Sequence, residues 1–362
     1  MRHEAHHFLP SLGYRDAVGS HTLQTHRALA AAGVKGAIWA EEVHGHLARA
    51  AHPPDRYPRL RSARRGTNVL VYQASTGSRG MAKMVAARPE PKVVYYHNIT
   101  PARFFEHYAP VAALNLEEGR RELETMAATG QVFMANSEYS ALDLKDLGVG
   151  DVTVMPPYLP PTVDAAPNPT HAEWLRRSKR GTDILAVGRI VPNKGHFHLL
   201  RMFAAYRAAV DPGARLFLVG SWGPDPYMRA LLALRDRLGR EGVAFCGSVT
   251  EATLAAHYQV ADVYVSLSEH EGFGLPLVEA MRQGRPVVAY SGGGAVAETM
   301  GGAGLLVGTL DPATVAETVA RVAADDGLRS RVLAAQARRL TVLDSVPRDE
   351  LVVAAVRRAA GA

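Results

Sequence analysis

Short, continuously apolar strands recur along this chain of 362 residues, with helical segments between them. They are predicted at residues 68–72, 92–96 and 131–135, and then at 183–187, 215–219, 243–245, 261–267, 286–289 and 305–307. Strands that are apolar on both faces and joined by crossover helices are typical of parallel sheets covered by helices on both sides. The pattern therefore predicts an α/β protein.

The length favours two domains, each large enough for its own hydrophobic core. A proline-rich stretch at residues 156–169 is predicted to be a rigid, unpaired linker between them. We place the first domain at residues 1–160 and the second at residues 161–345. A final amphipathic helix, within residues 346–362, is expected to pack back on the first domain.

The composition limits the classes of partner. Apolar residues make up 47% of the chain and charged residues 21%, which is typical of a soluble globular protein. No apolar run reaches the roughly 18 residues that a membrane span needs, and the first residues lack the pattern of a secretory signal. The single cysteine, Cys246, is expected to be a buried filler residue and fits a cytoplasmic location. A net charge of +6 favours anionic substrates or peripheral membrane contact over nucleic acid.

One stretch, ADVYVSLSEHEGFGLPLVEA at residues 261–280, predicts a strand, a glycine-bearing turn and a helix that begins at Pro276. Free backbone N–H groups and the positive end of the helix dipole would meet at that turn, which is an anion site. Glu271 and Glu279 flank it. Carboxylates only accept hydrogen bonds, so sugar hydroxyls are their natural partners beside a phosphate. The alternative is an ordinary strand-to-helix turn with solvated glutamates.

A second loop, GRIVPNKG at residues 188–195, leaves the first strand of the second domain. It carries two cations, Arg189 and Lys194, beside two glycines, and such cations suit a diphosphate. The alternative is that both side chains are solvated charges on the surface and bind no ligand.

Together, EGFGLPLVE at 271–279 and GRIVPNKG at 188–195 resemble the retaining nucleotide-sugar glycosyltransferases of glycosyltransferase family 4. YHNITP at 96–101, DAVG at 16–19 and LVGSWG at 218–223 are similar to the same family, so that the resemblance covers nearly the whole chain. It implies the GT-B fold, in which two Rossmann-like domains with parallel sheets face each other across a cleft.

The resemblance also implies a role for each matching residue. Arg189 and Lys194 would hold the diphosphate of the donor, Glu279 the ribose hydroxyls and Glu271 the transferred sugar. The turn between the two carboxylates would contact sugar and phosphate, largely through backbone amides, at Gly272, Phe273, Gly274 and Leu275.

In the first domain, Gly19 would let a loop approach the donor, and His97 would contact the sugar near its anomeric carbon. The alternative is that His97 is a hydrogen-bonded histidine at the end of a strand, without contact to the sugar. Asp16 and Asn98 are candidates for binding the acceptor, which would be a glycan, a lipid-linked glycan or a small molecule. Retention would follow from front-face attack, with the leaving phosphate taking the acceptor proton. No D-x-D motif occurs in the sequence, so we expect neither a metal nor another cofactor.

Three further patterns in the sequence bear on function. HEAHH at residues 3–7 matches the H-E-x-x-H zinc motif, but it precedes a strand and not the internal helix that this motif requires. An arginine cluster at residues 56–65 is either a solvated loop or a contact for an anionic acceptor or membrane. Gly292-Gly293-Gly294 lacks the spacing of a dinucleotide fold, which argues against an oxidoreductase. A non-catalytic nucleotide-sugar-binding protein and a nucleotide-sugar epimerase remain as alternative functions.

Overall fold

The computed structural model describes residues 3–13, 16–57, 68–159 and 165–361. It has two compact units. The first comprises Met1–Arg103, Pro110–Pro160 and Ser345–Ala362, and the second comprises Phe104–Ala109 and Pro161–Asp344. The segment Phe104–Ala109, which the predicted division gives to the first domain, lies in the second unit. The predicted division between residues 160 and 161, and most of the arginine cluster at 56–65, fall outside the described residues.

The first unit contains a parallel sheet of six strands in the order β2-β1-β3-β4-β5-β6. The strands are β1 (Glu4–Leu12), β2 (Ile38–Val43), β3 (Asn68–Ala74), β4 (Lys92–Tyr96), β5 (Val132–Ala135) and β6 (Val152–Val154). The helices of this unit are α1 (Ala17–Ala31), α2 (Met81–Ala86), α3 (Pro110–Thr129), α4 (Glu138–Asp146) and the C-terminal α13 (Arg348–Ala359).

Both faces of this sheet are buried. Along β4, Val94 and Tyr96 belong to one core cluster, while Val93 and Tyr95 belong to the other. Alternate residues of a strand point to opposite faces, so an entirely apolar strand needs cover on both. On the face of Val93, the cover includes α1 and the apolar side of α13, with Val352, Ala355 and Val356 buried against the sheet.

The second unit repeats the architecture, with six parallel strands in the order β12-β11-β10-β7-β8-β9. The strands are β7 (Asp183–Val187), β8 (Arg215–Val219), β9 (Val243–Gly247), β10 (Val263–Ser266), β11 (Val287–Tyr290) and β12 (Leu305–Val307). The helices are α5 (Pro169–Arg177), α6 (His196–Ala209), α7 (Asp225–Leu238), α8 (Glu251–Val260), α9 (Leu275–Arg282), α10 (Val296–Met300), α11 (Pro312–Ala324) and α12 (Asp326–Asp344). The strand order reverses between β7 and β10, and ligands of open α/β sheets bind beyond the carboxyl ends of the strands at such a point.

Several local predictions are corrected by the structure. The sequence pattern predicts a helix at residues 22–32, but α1 begins at Ala17, because Asp16 caps it by accepting a hydrogen bond from the N–H of Gly19. Likewise, α9 begins one residue before Pro276. The linker prediction is wrong at one end, where Asn168 caps α5 through the N–H of His171. Cys246 is only half-buried, and burial raises the pKa of its thiol to about 11.

The rejection of the zinc motif is supported by the structure, because residues 4–12 form β1. In an extended strand the two histidines of H-E-x-x-H cannot share one helical face.

Candidate functional site

Two loops leave the neighbouring strands β7 and β10 at their carboxyl ends and are bonded to each other. The N–H of Glu269 donates to the carbonyl of Asn193 at 2.8 Å, and Nδ2 of Asn193 donates to the carbonyl of His270 at 3.0 Å. Gly195 has a φ of +67°, and a Cβ added there would lie 2.0 Å from the carbonyl oxygen of Leu267. Only glycine permits this approach, so the loops at 188–195 and 268–274 form one rigid floor.

A third loop, after β11, holds the backbone of Glu271. The N–H of Glu271 donates to the carbonyl of Gly293 at 3.0 Å, and the N–H of Ala295 donates to the carbonyl of Glu271 at 2.9 Å. A Cβ on Gly293 would lie 2.2 Å from the carbonyl oxygen of Ser268. The glycine run at 292–294, which lacks the spacing of a dinucleotide fold, therefore positions one of the two predicted carboxylates.

The beginning of α9 presents free backbone donors, as predicted. Within the described part of the chain, the N–H groups of Phe273, Gly274 and Leu275 donate to no protein acceptor. Gly274, with a φ of +92°, is the N-cap of the helix and offers no side chain that could satisfy them. Thr299 Oγ1 donates to the carbonyl of Phe273 and fixes the turn. Three unsatisfied amides at the positive end of a helix form a site for an anion.

Lys194 and Glu271 form an ion pair in this structure. The Lys194 Nζ lies 2.6 Å from Oε1 and 2.7 Å from Oε2 of Glu271. The two side chains are 21% and 11% exposed, so the pair is mostly shielded from water. Arg189, by contrast, is exposed, and its guanidinium forms no hydrogen bond or ion pair with any residue that the structure describes. One predicted cation is therefore neutralised by a predicted carboxylate, and the other is free.

Glu279 is the most enclosed charged group of the site, with 7% of the residue exposed. Its Oε2 accepts a hydrogen bond from the hydroxyl of Tyr258 at 3.0 Å, the one donor to this carboxylate among the described residues. Burial raises the pKa of Glu279, and the bond from Tyr258 acts in the opposite direction. A carboxylate with a single donor in such a place is poorly compensated, which favours a ligand that supplies further donors.

In the first unit, His97 follows β4 and is held by buried polar side chains. Its Nε2 lies 2.7 Å from Oε1 of Gln73, and its carbonyl accepts from Nδ2 of Asn136 at 2.8 Å. An amide oxygen only accepts, so the Nε2 of His97 carries the proton and Nδ1 is left as an acceptor. Burial lowers the pKa of His97 to about 3. His97 is therefore a neutral hydrogen-bonding group, and Asn98 follows it in the left-handed region with a φ of +72°.

The remaining predicted residues of this unit lie after β1. Asp16 uses its carboxylate to cap α1, a structural role that the sequence prediction did not include. Gly19 is packed so closely that a Cβ would lie 2.7 Å from the carbonyl oxygen of Gly13. Helix α1 connects this end of β1 with the end of β4, since the ring of His21 meets that of His97 edge-on at 5.0 Å.

Two kinds of feature are absent from the described residues. They contain no group of three or more His, Cys, Asp or Glu side chains placed to hold a metal ion. They also contain no helix whose length and apolar character would let it cross a membrane.

Sequence comparisons match parts of this chain to known proteins. Residues 181–325 match the family described as "Glycosyl transferases group 1". The chain is 35% identical over 152 residues to the GDP-mannose-dependent alpha-(1-6)-phosphatidylinositol monomannoside mannosyltransferase of Mycobacterium tuberculosis, covering 38% of each protein. It is 34% identical over 235 residues to the D-inositol 3-phosphate glycosyltransferase of Salinispora arenicola, covering 60% of this chain and 52% of that one. The matches thus span about half or less of these relatives.

Solved structures establish the fold over almost the whole chain. WaaG, a glycosyltransferase involved in lipopolysaccharide biosynthesis, superposes with a TM-score of 0.70 at 15% identity, covering 99% of this chain and 100% of WaaG. Anabaena HepE in complex with UDP and glucose gives a TM-score of 0.71 at 17% identity, covering 98% of both chains. The predicted GT-B fold class is confirmed, and the resemblance to glycosyltransferases is supported by the family match over residues 181–325.

Proposed function

We propose that this protein is a retaining glycosyltransferase that moves a hexose from a UDP- or GDP-sugar to an acceptor hydroxyl. The observation that carries the proposal is the combination at the end of β10. Three unsatisfied amides at the start of α9 lie between two carboxylates, Glu271 and the buried Glu279. Amides bind an anion and carboxylates bind hydroxyls, so the site suits a ligand with a phosphate group between two sugars.

Each side chain has a role in this proposal. Glu279 accepts hydrogen bonds from the ribose, and Glu271 accepts them from the hexose. Arg189, which is exposed and unpaired among the described residues, is available for the diphosphate without breaking an existing contact. Lys194 is bonded to Glu271 in the free protein, so the phosphate must share or take over that cation. On the acceptor side, neutral His97 offers Nδ1 as an acceptor for a sugar hydroxyl, while Asp16, Gly19 and Asn98 are the candidates to line the site.

The proposed reaction is a direct transfer. The acceptor oxygen forms a bond to the anomeric carbon as the bond from that carbon to the β-phosphate oxygen breaks. The electron pair stays on the phosphate, which takes the acceptor proton. Arg189, Lys194 and the amides of 273–275 stabilise the charge that develops there, and no metal is needed in this scheme. Each such donor is worth about 2.7–4 kcal/mol by analogy with oxyanion-hole deletions.

The relatives suggest where to begin with substrates. One is described as GDP-mannose-dependent and another was solved with UDP and glucose, so GDP-mannose and UDP-glucose are the first donors to test. The acceptor is proposed to be a glycan, a lipid-linked glycan or a small molecule. Peripheral contact with a membrane on the cytoplasmic side stays a proposal and would be tested by sedimentation with anionic vesicles.

The test measures binding and turnover separately. Thermal unfolding with UDP, GDP and their sugars should show a rise in melting temperature for one nucleotide series, because a ligand of the folded state stabilises it by mass action. Arg189→Ala should weaken binding of that nucleotide by about tenfold or more, the value of a hydrogen bond between charged groups. Arg177→Ala removes an exposed arginine elsewhere in this unit and is the matched control.

Turnover is followed by release of the nucleoside diphosphate in the presence of acceptor mixtures, and the product anomer is read by NMR. Retention from an α-linked donor would give an α-linked product. Inversion would contradict the retaining mechanism. Donor binding without transfer to any acceptor would favour the non-catalytic alternative, and the absence of any nucleotide-dependent stabilisation would refute the proposal as a whole.

A further inference from the structure

The hydroxyl of Tyr258 has one hydrogen-bond partner among the described residues, and that partner is the carboxylate of Glu279. Tyr258 lies on α8 and is 3% exposed, while Glu279 lies one turn into α9 and is 7% exposed. A tyrosine that served only to fill the core would need no hydroxyl there. We therefore look for the role of the Tyr258 hydroxyl in its hydrogen bond to the carboxylate of Glu279 and not in the packing of the core.

We propose that Tyr258 is a positioning residue for the nucleotide ribose: it holds Oε2 of Glu279, so that the rest of the carboxylate faces the ribose 2′- and 3′-hydroxyls. This inference rests on the proposed function, in which Glu279 binds the ribose. A buried carboxylate with two free oxygens could turn about its last bond, whereas one with an oxygen fixed at 3.0 Å presents the other in a defined direction. Pre-organisation of this kind raises affinity by removing an ordering cost from the binding step.

The surroundings of Tyr258 make it a rigid support. Its ring stacks on that of Tyr264 in β10, with centroids 6.1 Å apart and an angle of 28°. The hydroxyl of Tyr264 in turn lies 3.4 Å from the carbonyl of Val187, at the end of β7. Through these contacts Tyr258, which holds Glu279, is connected to β10 and β7, the two strands between which the strand order reverses. Because the residues at 187, 258, 264 and 279 come from four different elements, no local sequence motif contains them.

The experiment uses the full chain and compares Tyr258→Phe with the wild type. Calorimetric titration is carried out with the nucleoside diphosphate that the wild type binds and with its 2′,3′-dideoxy counterpart. We expect the wild type to bind the ribonucleotide at least about tenfold more tightly than the dideoxy compound. In Tyr258→Phe the ribonucleotide should lose about tenfold in affinity, while the dideoxy compound should bind as it does to the wild type.

Tyr206→Phe is the matched control, because Tyr206 is also buried and its hydroxyl donates to Thr182 Oγ1 in the same unit, outside the site. It should leave both affinities and their ratio unchanged. A purely structural effect of losing a buried phenol would reduce binding of both nucleotides equally, and that result would overturn the inference. A ribonucleotide affinity unchanged in Tyr258→Phe would also overturn it.

The failure of the proposed function has a different signature. If the wild type binds no nucleoside diphosphate, the proposed function itself fails. If it binds one but does not discriminate against the dideoxy compound, Glu279 does not hold the ribose, and the inference about Tyr258 is refuted. That result would still be consistent with a donor site at the amides of α9.

Discussion

The ion pair between Lys194 and Glu271 gives the most direct test of the site in the absence of any ligand. Replacing Lys194 by Met keeps much of the apolar stem and removes the charge. Glu271 is then left 11% exposed, without the cation that lies 2.6 Å from its Oε1. The variant therefore reports how much of the stability of the second unit depends on this contact.

The size of the effect follows from the exposure of the two side chains. Ion pairs at a protein surface contribute about 0.2–1 kcal/mol. Removing one partner of a fully buried pair costs about 3–5 kcal/mol, because an uncompensated charge stays behind. With side-chain exposures of 21% and 11%, this pair lies between the two cases, and we expect a loss of about 2 kcal/mol. In a unit of about 150–250 residues that corresponds to a fall of about 4–8 °C in melting temperature.

The assay is a double-mutant cycle of thermal unfolding, with Lys194→Met, Glu271→Gln and the double variant. The double variant leaves no buried charge and should regain most of the stability lost in Lys194→Met, which gives a favourable coupling energy. Arg177→Met breaks an exposed pair with Glu173 on α5 and should change nothing measurable. If Lys194→Met is as stable as the wild type and the coupling energy is zero within error, the ion pair does not form in solution and the reasoning is refuted.

Three further predictions concern single residues. Burial raises the pKa of Glu279, so its charge costs folding free energy at neutral pH, and that cost is lost as the pH falls through the raised pKa. Glu279→Gln should therefore raise the melting temperature at pH 7 and weaken nucleotide binding, both measured by thermal unfolding with and without nucleotide. Burial lowers the pKa of His97 from 6.5 to about 3, so between these pH values the unfolded chain binds a proton at His97 that the folded chain does not bind. The free energy of unfolding, measured with urea, should therefore fall from about pH 6.5 towards pH 3, and it should fall more steeply than in His97→Asn. Gly195→Ala should lower the melting temperature more than Gly284→Ala. Both glycines have a positive φ, of +67° and +64°, but only a Cβ at residue 195 would lie 2.0 Å from the carbonyl oxygen of Leu267. Equal losses in melting temperature would contradict this packing argument.

The sheet strands were predictable because their signal is local. The strands at 92–96, 183–187, 215–219 and 305–307 have the predicted bounds, since an apolar run between polar turns admits few other structures. The start of α1 was missed for a physical reason. The glycines at 13 and 19 indicate a turn, but the Asp16 side chain caps a helix that continues through Gly19.

The candidate site was predictable where one loop carries both the chemistry and its backbone. The free amides of 273–275 and the two flanking carboxylates lie within nine consecutive residues, so a strand, a glycine turn and a helix start were enough to indicate them. Tyr258 and Gln73 could not be found in this way. Each lies more than twenty residues from its partner, Glu279 or His97, and contacts it only because the fold brings separate elements together.

The two carboxylates of the site are held by supports of different kinds, and this difference orders the binding of a donor. Glu271 is bonded to a lysine that is 21% exposed and has a long flexible stem, so this contact can open without disturbing the core. Glu279 is bonded to Tyr258, which is 3% exposed, so this contact cannot open without disturbing the packing of the core. The end of the site proposed for the ribose is therefore formed before any ligand arrives, whereas the end proposed for the hexose and phosphate must rearrange. We accordingly expect the free nucleoside diphosphate to supply most of the affinity, and the sugar to add selectivity through the exchange of partners at Lys194.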